Sequence, residues 1–165
     1  MIVLLVKYHP QVHLCVCKKC PTGQYASSVS SQCIDCKPGQ YSDNPDGADS
    51  CELCGAGKFS ARYGATTCTS CRPGTFSSDV GMTACTNCIA GTYAAKISAD
   101  GFDSCEAGKY SAASASTACT YCIAGKYLDI AGGTACISCD AGKYSSSGSD
   151  PVSYTHLTLP TILLV

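Results

Sequence analysis

The cysteines of this chain recur at a nearly constant interval. The second members of successive cysteine pairs are Cys20, Cys36, Cys54, Cys71, Cys88, Cys105, Cys122 and Cys139. From Cys54 onward every step is 17 residues; the two earlier steps are 16 and 18. Three residues after each anchor comes a glycine: Gly23, Gly39, Gly57, Gly74, Gly91, Gly108, Gly125 and Gly142. Five residues after it comes an aromatic: Tyr25, Tyr41, Phe59, Phe76, Tyr93, Tyr110, Tyr127 and Tyr144. A unit this short cannot bury a face of its own, so the repeats must stack on one another.

Each slot has a physical reason. The residue before the glycine is Pro or Ala in seven of the eight copies, including Pro38 and Pro73. Pro-Gly suits the two central positions of a type II turn, the second of which needs φ > 0. The aromatic opens a short extended stretch, and its ring is expected to cover the adjacent disulfide. A second glycine lies four residues before the next pair at Gly47, Gly64, Gly81 and Gly132, marking a return turn. The expected fold class is a small disulfide-rich, elongated tandem array of ~17-residue repeats. Short β-hairpins and turns dominate it, with little helix and no single core.

Composition supports staples over burial. The 165 residues include 16 cysteines, a density typical of disulfide scaffolds. Between Cys17 and Asp150 only eleven residues are Leu, Ile, Val or Met, too few to make one contiguous core.

Within each 17-residue step a long gap, C-x13-C, alternates with a short one, C-x2-C. Sequence alone does not choose among connectivities. Bridging the long gap closes a 15-residue loop, worth roughly 3 kcal/mol by loop entropy. The short gap constrains little chain. The expected bridges are Cys20–Cys33, Cys36–Cys51, Cys54–Cys68, Cys71–Cys85, Cys105–Cys119 and Cys122–Cys136. In the stretch GFDSCEAGKY (Gly101 to Tyr110) the 17-residue step places Phe102 in the slot of a first cysteine. Cys88, fourteen residues upstream, is therefore the thiol left over. A mutation and a read error both account for Phe102, because one base separates the codons. Cys15, Cys17 and Cys139 are also expected to be unpaired, lying at the two ends of the series.

Several function classes find no support. The net charge is −1 with no basic stripe, which argues against nucleic acid. All three histidines (His9, His13 and His156) lie outside the repeats, and nothing pairs a nucleophile with a base. No catalytic residue, cofactor-binding residue, metal ligand or cofactor is assigned. The loose cluster Asp35, Asp43, Asp46 and Asp49 lacks the closing Glu of a calcium loop and reads as a surface loop. Lys58, Lys109, Lys126 and Lys143 recur beside the aromatics and read as a solvated edge that discourages strand pairing. The rival chemistry is zinc: C-x2-C pairs about 14 residues apart come close to four-cysteine zinc sites. That alternative would make the chain an intracellular zinc-binding repeat protein.

The domains expected are an N-terminal segment, 1–16, with a truncated or misassigned start; the tandem repeats, 17–150; and a non-native tail, 151–165. The N-terminal run MIVLLV is too short for a secretory leader or a membrane span. Val152 to Thr161 resembles a translated sequencing-library adapter of the transposase type, and that resemblance extends over residues 152–165.

The phrase C-x2-C-x-[AP]-G-[KT]-[YF]-S, iterated over Cys17 to Asp150, resembles the ephrin-receptor-like cysteine-rich repeats. These belong to the growth-factor-receptor cysteine-rich superfamily and are similar to tumour-necrosis-factor-receptor-type modules. The resemblance implies extracellular or cell-surface exposure through the secretory pathway. It implies a stalk, adhesion or ligand-contact role without catalysis, in a fragment of a larger protein. The partner it implies is a protein or glycan of unspecified identity, with a membrane reached only through a domain missing from this fragment. No ephrin binding is implied, because the ligand-binding part of such receptors is absent.

Overall fold

The computed structural model describes residues 19–26 and 32–147. Cys15, Cys17, the three histidines and the segments 1–16 and 151–165 lie outside the described residues, apart from which the repeats are seen nearly whole. Among the described residues there is no helix, and fourteen strands of two or three residues form seven antiparallel hairpins. In chain order these are β1 (Gln24–Ala26) with β2 (Cys33–Asp35), β3 (Gln40–Tyr41) with β4 (Glu52–Leu53), and β5 (Lys58–Phe59) with β6 (Thr69–Ser70). There follow β7 (Thr75–Phe76) with β8 (Thr86–Asn87), and β9 (Thr92–Tyr93) with β10 (Asp103–Ser104). Last come β11 (Lys109–Tyr110) with β12 (Thr120–Tyr121), and β13 (Lys126–Tyr127) with β14 (Ile137–Ser138). Among the described residues each sheet has two strands, neighbours in sequence; outside these sheets Tyr25 of β1 makes an isolated parallel bridge to Ala48.

The glycine turn starts every hairpin. The Gln40 N–H donates to the Lys37 carbonyl at 3.0 Å, and Gly39 has φ +83°. Pro38 before it presets the other central dihedral, which completes a type II turn. The same closure recurs at Thr75 to Arg72, 3.0 Å, with Gly74 at φ +85°.

A two-stranded hairpin of this size is marginal in water. Stacking completes it: the turn glycine's N–H reaches the next repeat, while its carbonyl extends the hairpin's own ladder by one pair. The Gly39 N–H donates to the Ser60 carbonyl (2.7 Å), and the Gly39 carbonyl accepts from the Cys54 N–H (2.9 Å). Gly57 repeats this with Ser77 and Cys71, Gly74 with Ala94 and Cys88, and Gly91 with Ser111 and Cys105. The return turn adds a second link: Gly64, Gly81, Ser98, Ala115 and Gly132 donate to the carbonyls of Cys36, Cys54, Cys71, Cys88 and Cys105.

The stack also reaches past the nearest neighbour. A Cβ added to Gly23 would overlap the carbonyl oxygen of Gly64, two repeats on. The same holds for Gly39 against Gly81, Gly57 against Ser98, Gly74 against Ala115 and Gly91 against Gly132. These five turn glycines are therefore required twice, once by their positive φ and once by this close approach.

The core is a thin line rather than a volume. Cys20, Cys36, Cys54, Cys71, Cys88, Cys105 and Cys122 are at most 1% exposed. Beside them lie the residues that follow the aromatics: Ser42, Ser60, Ser77, Ala94, Ser111, Leu128 and Ser145, all buried. Small side chains fit there because consecutive turns approach through backbone hydrogen bonds. The aromatic rings themselves are half-buried, Tyr144 being exposed.

Candidate functional site: the disulfide ladder and its open rung

The long-gap geometry brings each hairpin's ends together. The structure bridges Cys20–Cys33, Cys36–Cys51, Cys54–Cys68, Cys71–Cys85, Cys105–Cys119 and Cys122–Cys136, with Cα–Cα distances of 5.5–5.8 Å. These distances lie where unstrained disulfides cluster. Each C-x2-C gives one sulfur to the hairpin before it and one to the hairpin after it, which makes the bridges a ladder. With the sulfurs so engaged, they are not available as zinc thiolates. No group of three or more His, Cys, Asp or Glu among the described residues is placed to hold a metal ion.

One rung is open. Cys88 is buried with a free thiol, and Cys139 is a free, partly exposed thiol whose Sγ lies 3.5 Å from Ser145 Oγ. Burial pushes the Cys88 thiol pKa up; its own backbone and Thr92 pull weakly the other way. Hairpin β9–β10 keeps the register of its neighbours without a bridge: Tyr93 pairs with Asp103 as Phe76 pairs with Thr86. Phe102 turns outward, 47% exposed, and meets the ring of Phe76 edge-on at 5.1 Å and 64°. Such a contact contributes about 0.5–1.5 kcal/mol beyond burial, less than a bridge.

Shallow grooves recur between repeats. Tyr41, Lys58 and Cys68 line one; Tyr93, Lys109 and Cys119 a second; Tyr110, Lys126 and Cys136 a third. Each ring thus shares a groove with a bridged cysteine of the repeat that follows. The lysines differ in their partners. Lys109 Nζ lies 2.8 Å from Glu106 Oε2 and 4.9 Å from the centre of the Tyr121 ring, and Lys143 lies 3.3 Å from Asp140. The Lys109 pairing holds Glu106 below the usual carboxylate range and raises Lys109 itself. Lys58 and Lys126 are exposed. In the acidic loop Asp46 pairs with Lys19 at 3.1 Å, Asp35 accepts from Gln24 at 2.8 Å, and Asn44 bonds the Gly47 carbonyl at 3.0 Å. These are the contacts of a surface turn. Tyr41 donates to Glu52 at 2.8 Å, and that bond, with the carboxylate's charge, raises the phenol pKa.

Two sets of structural residues carried no distinct signal of chemistry. The buried serines are visible in sequence only as a recurring small residue after the aromatic. Ser98 and Ala115 adopt φ +58° because they occupy the slot that is glycine at Gly64, Gly81 and Gly132. Alignment on the 17-residue step finds them.

A series of hairpins, six of the seven described closed by one bridge each and stacked through turn glycines, defines a disulfide-rich tandem-repeat module. Residues 23–67 and 57–105, together half of the 165-residue chain, match the family model described as tyrosine-protein kinase ephrin type A/B receptor-like. The chain belongs to this ephrin-receptor-like family. None of the curated proteins matches it.

Proposed function

We propose that this chain is a spacer or ligand-contact segment of a secreted or cell-surface protein, held in shape by its disulfide ladder and without catalytic activity. The observation that carries the reading is the serial ladder itself. Six bridges in one small repeat array favour an oxidising compartment. Family membership supports the same compartment and a receptor-like setting. Among the described residues no helix is long and apolar enough to cross a membrane. The partner in this reading is a protein or glycan that lies along the exposed hairpin edges. The grooves beside Tyr41, Tyr93 and Tyr110 offer ring faces and ammonium groups on one repeating pattern.

The test is compartment-specific expression. Protein directed into a eukaryotic secretory pathway is expected to emerge soluble, free of metal, and with the long-gap bridges recovered by non-reducing peptide mapping. Stoichiometric zinc with free thiols, in protein that folds only in a reducing cytosol, would refute the reading.

A further inference from the structure

A ladder of bridges fixes how the chain carries tension. Bridged cysteines are 13 to 15 positions apart in sequence, and the sulfur–sulfur bond short-circuits the loop between them. A pull along the array passes from cysteine to bridge to the three-residue link of the next C-x2-C. The loops never bear load while the bridges hold. Hairpin β9–β10 is different, because from Cys85 to Cys105 the polypeptide is the sole covalent path.

We propose that the repeat Cys88–Ser104 is a built-in extensible joint, the one unbridged hairpin among the seven described, set between bridged hairpins that cannot lengthen. Its closed state rests on non-covalent contacts alone. These are the two-residue ladder, the edge-on contact of Phe76 with Phe102, and backbone bonds to neighbouring repeats. The Ser98 N–H reaches the Cys71 carbonyl at 2.8 Å, and the Ala94 N–H reaches the Ser116 carbonyl at 3.1 Å. One of these contacts is made at a cost, since Ser98 sits at φ +58°, where a side chain is disfavoured. Opening exposes the fourteen positions from Cys88 to Phe102. A fully extended chain spans ~3.3–3.6 Å per residue, so the released length is about 40–45 Å after subtracting the closed spacing. Neighbouring bridged hairpins release none of theirs. Opening also uncovers Cys88, so the thiol reports on the joint.

The inference rests on the spacer reading for its purpose. Step length reads the joint, however, while the secretion experiment reads the compartment, so either can fail alone. The full oxidised chain, held by non-thiol tags at its two ends in an optical trap, is expected to yield one low-force step of about 40–45 Å. F102C, with its bridge to Cys88 verified by peptide mapping, is expected to lose that step. C88S is expected to keep it, because it adds no bridge. C71S/C85S, which opens a second rung, is expected to show a second step of the same length, and this arm stands even if F102C misfolds. The proposal is overturned by the absence of a step in the parent chain. It is equally overturned by persistence of the step in bridged F102C, or by no added step in C71S/C85S.

Discussion

Replacing Gly57 by alanine tests whether the stack is coupled across two repeats. Gly57 has φ +77°, and a Cβ there would overlap the Ser98 carbonyl oxygen. Gly125 has φ +82° in the same turn position, and a Cβ there would meet nothing within 4 Å. Both substitutions share the backbone term, about 1–2 kcal/mol for a side chain in the left-handed region. Only Gly57→Ala must also push the return turn at Ser98 away. That loosens the bonds from Ser98 to Cys71 (2.8 Å), Gly57 to Ser77 (2.8 Å) and Cys71 to Gly57 (2.8 Å). At about 0.5–1.5 kcal/mol each, weakening these bonds adds about 1–3 kcal/mol. Because a stacked array does not unfold as a single unit, the assay is amide exchange resolved by residue. Gly57→Ala is expected to accelerate exchange at residue 57, Cys71 and Ser98, of which Ser98 lies two repeats away. Gly125→Ala is expected to affect only its own turn and the adjoining repeat. Equal local effects from the two substitutions, with Ser98 unmoved by Gly57→Ala, would refute two-repeat coupling.

Other substitutions probe the narrow core and the open rung. Ser42 Oγ is buried with no partner, whereas Ser111 Oγ bonds Ser116 Oγ at 2.6 Å and the Ala113 carbonyl at 3.1 Å. Ser42→Ala is therefore expected to stabilise by about 1 kcal/mol or more and Ser111→Ala to destabilise by about 1 kcal/mol, as read by local exchange protection. Ala115→Gly relieves a side chain at φ +58° and, net of glycine's entropy cost, is expected to gain about 0.5–1 kcal/mol. The raised thiol pKa of Cys88 has a definite sign. The folded state holds the proton more tightly, so its contribution is complete below the unfolded pKa of about 8.5 and is lost as pH rises through the folded value. Alkylation of Cys88 in the native protein is expected to have a pH midpoint above that of the urea-unfolded chain, and to spare Cys105, which is bridged.

The hairpins, their turns and the return turns are legible in sequence because they depend on local dihedral chemistry. Pro38-Gly39 and Pro73-Gly74 state their turn type outright, and Gly47, Gly64, Gly81 and Gly132 mark the return. The position of Phe102 in a cysteine slot follows from counting alone. How hairpins rest on one another is less legible. Backbone groups make that stack, and a backbone carbonyl has no letter. Hence the approach of Gly23 to Gly64, or of Gly74 to Ala115, is visible only in three dimensions. A nearest-neighbour picture of the array misses it. The buried line of Ser42, Ser60, Ser77 and Ser111 is obscured for the opposite reason. Serine is common in this chain and occurs at exposed as well as buried positions, so its letter carries little weight without the repeat register. The aromatic rings drew attention as the apolar slot, yet the burial is deepest one residue later, where a small side chain lets turns come close.

The dependence of the stack on backbone groups has a consequence for how such a surface can change. Tyr63, Val80 and Ile97 occupy one equivalent exposed position in three successive repeats, and Ile34, Leu53, Ile89 and Ile123 are likewise exposed. None of these side chains supplies a stacking hydrogen bond. They are free to vary one repeat at a time while the glycines, cysteines and small buried residues hold the frame. The array is in this sense a rack of independent labels: a new binding specificity can be written onto its edge, or erased, without redesigning what holds it upright.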